Sequence, residues 1–379
     1  MVQEKQHISY SRIEIYTTVR KIYKFLLILI IFSMSCSDKK ELLIPFSSPE
    51  IEFSGRIDTN KVEAAEIYWS GSSIKINFEG ESIQALLKDE TGDNYYNVIL
   101  DNDSISILRP ETNKRYHQLA SNLSEGKHSI ELFKRTEWNR GKTSFFGFKI
   151  KNNPRLLAKQ TSKKRKIEFY GNSITAGYAI EDFSGKDLPD STYTNNYLSY
   201  AAITARHYNA KSQCICKSGI GITVSWHPLI MPEMYDRLIP TDSSSKWNFS
   251  IYTPDIVVIN LLQNDSWLVN LPEHEEFKRR FGNKVPTDIE IINAYQKFVA
   301  NLRSKYSKAS IICTLGSMNA AEEGSKWMKF IKVAVENLND EKIYTHFMPY
   351  IKSLSHPSVE DQQIMANSLI QFIDKNIEW

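Results

Sequence analysis

Residues 166–177 read KIEFYGNSITAG, and this stretch decides the fold. Ile167 to Tyr170 has the length and apolar character of a buried strand, Gly171 and Asn172 turn the chain, and Ser173 stands where a helix begins. Further along, apolar strands at Gln213–Lys217, Asp255–Leu262, Ser310–Leu315 and Lys342–Phe347 alternate with helical stretches at Leu198–Tyr208, Asp288–Tyr306, Gly324–Leu338 and Val359–Ile377. Strand and helix taking turns predict a parallel sheet with helices on both faces, an α/β domain over 158–379. Its ligand site is expected beyond the carboxyl ends of the strands.

Ahead of this domain the period changes. Short alternating runs at Ile74–Phe78, Ser82–Leu87, Tyr95–Leu100, Ser129–Phe133 and Ser144–Ile150 predict an all-β sandwich of jelly-roll type over 45–157. Glu79-Gly80-Glu81 and Asp101-Asn102-Asp103 read as hairpin connections.

The apolar run Phe25–Phe32 follows Arg20, Lys21 and Lys24 and precedes Ser33, Met34, Ser35 and Cys36. It is too short to span a bilayer and has the flanks of an export signal over 1–35. Cys36 directly after Ser35 resembles the lipobox of bacterial lipoproteins, which implies lipid attachment at Cys36, a tether over 36–44, and an exported protein anchored in the cell envelope, with the outer membrane as the expected site. Removing 1–35 takes five basic and two acidic residues from totals of 47 and 44, leaving 42 of each. A neutral mature chain offers no basic stripe for nucleic acid and no electrostatic hold on anionic lipid. Cys214, Cys216 and Cys313 form neither a disulfide framework nor a metal spacing, and no histidine pair suggests zinc, so neither metal nor cofactor is expected.

Chemistry is sought at the strand ends. Ser173 follows the first strand; read alone, it is better explained as a helix N-cap than as a nucleophile. Gly219 and Gly221 follow the second strand, and Asn264 with Asp265 the third, where backbone N–H groups and an amide can donate to an oxyanion. His356, on a loop before the last helix and followed by Pro357, is the candidate base, whereas His207 and His227 read as surface or packing residues. Trp226, Trp267 and Trp327 are the aromatic faces expected near this edge for a sugar, and Trp69 reads as packing.

The blocks GNSITAG (171–177), SGIG (218–221), QND (263–265) and SHPS (355–358) resemble the four blocks of the SGNH, or GDSL-type, hydrolases, a flavodoxin-like family of serine esterases. With IYWSGSSIKINFEG (67–80), GKHSIELFKRTEW (126–138), FFGFKI (145–150), MPEMYDR (231–237), PDIVVINL (254–261) and LGSM (315–318), the chain is similar to carbohydrate esterase family 2. The resemblance implies Ser173 as nucleophile, His356 as base, and Gly219 or alternatively Gly221, Asn264 and the Ser173 N–H as oxyanion donors. It implies removal of O-acetyl groups from an acetylated xylan, mannan or related hemicellulose.

Two positions depart from the pattern. Ser353 stands three residues before the histidine where the hydrolases usually have Asp, which implies a Ser-His dyad with a backbone carbonyl holding the imidazole, or Asp361 or Glu360 as a substitute. Leu262-Gln263 replaces the usual Gly-Thr before Asn-Asp. These departures leave two alternatives: a catalytically decayed polysaccharide-binding lipoprotein, or an esterase or lipase of other acyl specificity.

Overall fold

The computed structural model describes residues 40–159, 164–352 and 355–379. The export segment 1–35, Cys36, the tether up to 39 and Ser353 lie outside the described residues.

Five parallel strands form the central sheet of the carboxyl-terminal half: Lys166–Gly171, Lys211–Cys216, Ile256–Asn260, Ser310–Leu315 and Ile343–Phe347. Numbered along the chain, their order across the sheet is 2-1-3-4-5, the doubly wound arrangement in which the strand order reverses beside the first strand. The inner strands read as continuous apolar runs because both faces are covered. One face packs on the helices Asp288–Lys305 and Lys326–Glu336, with Tyr295, Phe298, Phe330 and Ile331 in the core. The other packs on Tyr200–His207 and Val359–Asn376 through Ala201, Ala205, Met365 and Leu369. Thr287 with Glu290 and Ser358 with Asp361 form capping boxes that start the two longest helices.

The amino-terminal half is two antiparallel sheets of six strands each, face to face over a core that includes Ile74, Phe78, Ile83, Phe145 and Phe148. One has Thr143–Lys151 and Ser82–Asp89 at its centre, the other Ser73–Glu79 and Lys127–Lys134. The turn Asp101-Asn102-Asp103 is the hairpin its composition predicts, joining Tyr96–Leu100 to Ser104–Leu108 with φ of 53° and 62° at Asp101 and Asn102. Glu79-Gly80-Glu81 is not a hairpin: Ser73–Glu79 and Ser82–Asp89 belong to different sheets, so these residues carry the chain across the sandwich. The sheet also begins earlier than the sequence reading placed it. Glu41–Pro45 pairs with Thr143–Lys151, because Ile44 alternates inward to 3% exposure, so the expected tether over 36–44 ends by Lys40.

Sandwich and parallel sheet are packed together within one compact unit, Glu41–Trp379. Arg56, from the sandwich, forms a fully buried ion pair at 2.9 Å with Glu168 on the first parallel strand, and also donates to the carbonyls of Tyr235 and Arg237. Trp69 is buried, as packing requires, but against the α/β half, where its Nε1–H donates to Leu238 O at 2.8 Å.

Candidate active site

The first parallel strand ends in a turn that only glycine can make, since a Cβ on Gly171 would lie 1.9 Å from Thr175 Oγ1. Asn172 follows in extended geometry and caps the short helix Ser173–Ala176, its side chain accepting from Ile174 N–H at 3.0 Å. The reading of Ser173 as the N-cap is therefore corrected by one position. Ser173 is the first helical residue and its hydroxyl is free for another partner, the imidazole of His356, with 2.8 Å between Oγ and Nε2. Gly177 ends the helix at φ 71°, where a Cβ would meet Asn195 O at 2.6 Å.

His356 is oriented by a residue the sequence reading did not name. Its Nδ1 lies 2.8 Å from Asp187 Oδ2, and its backbone N–H donates to Asp187 Oδ1 at 2.9 Å. With a carboxylate to accept the Nδ1 hydrogen, the neutral ring keeps its lone pair on Nε2, facing the Ser173 hydroxyl. Partial burial alone would raise the Asp187 carboxyl, but the hydrogen bond and charge of His356 hold it below the usual carboxylate range. Tyr178 closes one side, its ring edge-on to the imidazole at 4.9 Å. The expected dyad is thereby corrected to a set of three side chains. Asp361 and Glu360 are not substitutes: Asp361 accepts from Ser358 N–H and Glu360 from the Ser358 hydroxyl, at the cap of the last helix.

Asp187 lies in the loop after the nucleophile helix at φ 55°, a left-handed conformation that Asp tolerates better than most residues. Asp182 folds this loop by accepting from the N–H groups of Ser184 and Leu188 at 3.0 and 2.9 Å. The sandwich braces it from outside: Arg140 donates to Pro189 O at 2.6 Å, and Arg135 donates to Thr192 O at 2.9 Å and pairs with Glu181.

Donors for an oxyanion surround the hydroxyl. Among the described residues the backbone N–H groups of Ser173 and Gly219 meet no acceptor within the protein. Asn264, on the helix Gln263–Leu268, gives one amide hydrogen to Ile220 O at 2.8 Å and has the second to offer. Gly221 is set aside as an alternative donor, because its N–H is bound to Ser225 Oγ at 2.9 Å and a Cβ there would lie 2.0 Å from Val224 O. Asp265 shapes this loop from beneath. Its fully buried carboxylate accepts from the N–H groups of Ile222 and Thr223 and from the Thr223 hydroxyl. Desolvation raises its pKa, and those hydrogen bonds oppose the rise.

Leu262 adopts φ 82°, so the glycine the resemblance leads one to expect there has a backbone reason. The leucine keeps that conformation and buries its side chain completely.

The three tryptophans separate. Trp226 is 43% exposed and lies beside Gly219, whose Cβ, if present, would approach the Trp226 Cβ at 3.1 Å. Trp267 is half-buried on the Asn264 helix. Trp327 is a correction: it is 6% exposed and packs against Phe330 in the core, because Trp327, Phe330, Ile331 and Ala334 form one apolar stripe of their helix.

Residues 53–159 match the model of the carbohydrate esterase 2 N-terminal family. Over 345 residues the chain is 32% identical to a cellulase/esterase of Acetivibrio thermocellus, covering 88% of this chain and 40% of that relative's length. It is 23% identical over 361 residues to an acetylxylan esterase / glucomannan deacetylase of Cellvibrio japonicus, covering 92% and 96%. The solved structure of a family two carbohydrate esterase from Clostridium thermocellum in complex with cellohexaose superimposes with a TM-score of 0.76 at 32% identity, over 86% of this chain and 98% of that one.

Proposed function

Because the chain belongs to carbohydrate esterase family 2, we propose that it removes O-acetyl groups from plant polysaccharides such as acetylated xylan, mannan or a related hemicellulose. The observation that carries this reading is the relay from the Ser173 hydroxyl through His356 to Asp187, 2.8 Å at each step. In the proposed reaction Ser173 Oγ attacks the acetyl carbonyl carbon while His356 Nε2 takes its proton, and the carbonyl electron pair moves onto oxygen. The N–H groups of Ser173 and Gly219 and the Asn264 amide receive that oxyanion. Collapse expels the sugar alkoxide, which leaves as the alcohol with the proton from His356, and an acetyl-serine remains. Water, giving a proton to His356, then repeats the sequence, releasing acetate and restoring Ser173. Trp226 offers the exposed apolar face that a pyranose ring stacks on.

The Asp187 carboxylate weighs against a decayed site, since the departure at 353 no longer leaves the imidazole without an acid. Release of acetate from acetylated xylan and acetylated glucomannan by the mature chain, beside Ser173→Ala and His356→Ala, tests the reading. Turnover confined to the unsubstituted chain supports it, and equal rates in all three proteins refute it. Cleavage of longer acyl esters alone would redirect the substrate. We also propose that a lipid on Cys36 anchors the exported protein in the envelope; radiolabelled palmitate should label the chain in a bacterial host and not its Cys36→Ser variant.

A further inference from the structure

We propose that Glu137, supplied by the sandwich, and His227 are positioning residues that clamp the Ser218–Gly219 peptide so that its N–H is aimed at the developing oxyanion. This rests on the reading of Gly219 as an oxyanion donor.

The peptide that carries the Gly219 N–H is held at each of its neighbouring polar groups. The Ser218 N–H donates to Glu137 Oε1, and the Ser218 carbonyl accepts from His227 Nε2 at 3.3 Å. On the far side, Gly219 O accepts from Trp226 N–H at 2.9 Å and Ile220 N–H donates to Lys217 O at 3.2 Å. A peptide at φ 80° has no strand or helix ladder to orient it, so these contacts set its direction. Desolvation by its surroundings, helped by the neighbouring charge of Lys217, pulls the pKa of the half-buried His227 down to about 4, so the ring is neutral near pH 7. A neutral ring serving the Ser218 carbonyl must carry its hydrogen on Nε2. That hydrogen bond also polarises the peptide and strengthens its N–H as a donor.

Glu137 is 4% exposed and comes from the other half of the molecule, 81 residues before Ser218. Its backbone is fixed by the buried Lys134, whose ammonium donates to Thr136 O at 2.9 Å and to Glu137 O at 3.3 Å. Three residues further on, Arg140 holds the Asp187 loop. The segment Lys134–Arg140 thus reaches both the oxyanion loop and the loop of the acid, two elements that parallel-sheet topology alone does not tie together.

The test uses the mature chain, acetylated xylan, and phenylboronic acid, which forms a tetrahedral adduct on a nucleophilic serine. Misaiming one oxyanion donor forfeits part of the roughly 10²- to 10³-fold that a whole donor supplies. For Glu137→Ala the expected loss in kcat is therefore about 10- to 100-fold, with KM within about twofold and boronate affinity falling in step with kcat. Glu137→Gln keeps an acceptor for the Ser218 N–H and should recover most of both. Should Glu137→Ala fail to fold, His227→Ala against His227→Gln makes the same comparison from the carbonyl side, since the Gln amide can still donate.

A folded Glu137→Ala with unsubstituted kcat and boronate affinity overturns the proposal. So does a rise in KM at constant kcat, or a Glu137→Gln variant as impaired as the alanine. The unsubstituted chain's turnover judges the esterase reading. The boronate ratio between variants judges the clamp even on a polymer the protein does not cleave.

Discussion

Replacing Asp187 by Asn separates a triad from a dyad without changing the size of the side chain. In the proposed transition state His356 is an imidazolium 2.8 Å from the Asp187 carboxylate. Two unit charges about 4 Å apart attract by about 4 kcal/mol at an effective dielectric of about 20. The Asp187 side chain is 29% exposed, so part of that attraction is screened, and about 2–4 kcal/mol remains to be lost. Each 1.4 kcal/mol is about tenfold, which makes the expected fall in kcat about 30- to 1000-fold. Asparagine adds a second defect. Its amide can donate to Nδ1, which puts the ring hydrogen on Nε2 and leaves nothing to take the Ser173 proton. Asp187→Asn should therefore be at least as slow as Asp187→Ala, with KM nearly unchanged in both. Acetate release measured under saturating and limiting substrate gives the two constants. An Asp187→Asn variant within about threefold of the unsubstituted rate, beside inactive Ser173→Ala and His356→Ala, would falsify the triad and restore the dyad.

The same carboxylate predicts a pH effect on stability. Because its folded pKa lies below the ordinary value of 3.8, its contribution is complete above the carboxylate range and fades as pH falls through the depressed folded value. The gap in Tm between the unsubstituted chain and Asp187→Asn should accordingly be widest near neutrality and close on acidification below pH ~4; a gap that widens in acid would contradict it. Trp327→Ala should cost about 3–5 kcal/mol in urea denaturation. Trp226→Ala should leave stability within about 0.5 kcal/mol, yet raise KM for the polymer about fivefold, the equivalent of one stacking contact, without affecting a small acetyl ester. Removing either partner of the buried Arg56–Glu168 pair alone should destabilise by about 3–5 kcal/mol, and Arg56→Met with Glu168→Leu together by less, because no unpaired charge is then left inside. Leu262→Gly relieves about 1–2 kcal/mol of left-handed strain but gives up a fully buried side chain worth more. Denaturation should find it less stable, and a stabilised variant would show that the loop relaxes to fill the space.

The two halves and the alternation of strand and helix in the second are legible in the chain because both rest on local periodicity: alternation up to Lys151, then apolar runs separated by amphipathic helices. Ser173, Gly219, Asn264 and His356 are legible for a related reason, since each stands in the first few residues after a strand or before a helix, where a parallel sheet collects its ligand site. Trp327 could have been excluded by the same periodicity, as it shares a helical stripe with Phe330, Ile331 and Ala334. Asp187 is of another kind. Its loop holds four carboxylates, Glu181, Asp182, Asp187 and Asp190, and nothing in their spacing singles out one of them. The choice is made by contacts that sequence distance hides: Asp182 folding the loop on itself, and Arg135 and Arg140 holding it from the sandwich.

That placement explains how Ser353 can replace an acid beside the histidine. A carboxylate three residues before His356 would orient the ring through a short loop of its own. Asp187 does so from the loop that follows the nucleophile helix, so the serine and the acid share one stretch of chain and meet the imidazole from opposite sides. The stretch is long and has no regular structure between Gly177 and Ser191, and a loop of that kind holds a geometry only where something packs against it. The sandwich supplies the packing. Its segment Lys134–Arg140 is therefore better understood as part of the active-site frame than as the edge of a separate module. Truncating the sandwich should remove the brace on Asp187 and the contact on Ser218 together, so the α/β half alone should lose turnover even where its parallel sheet still folds.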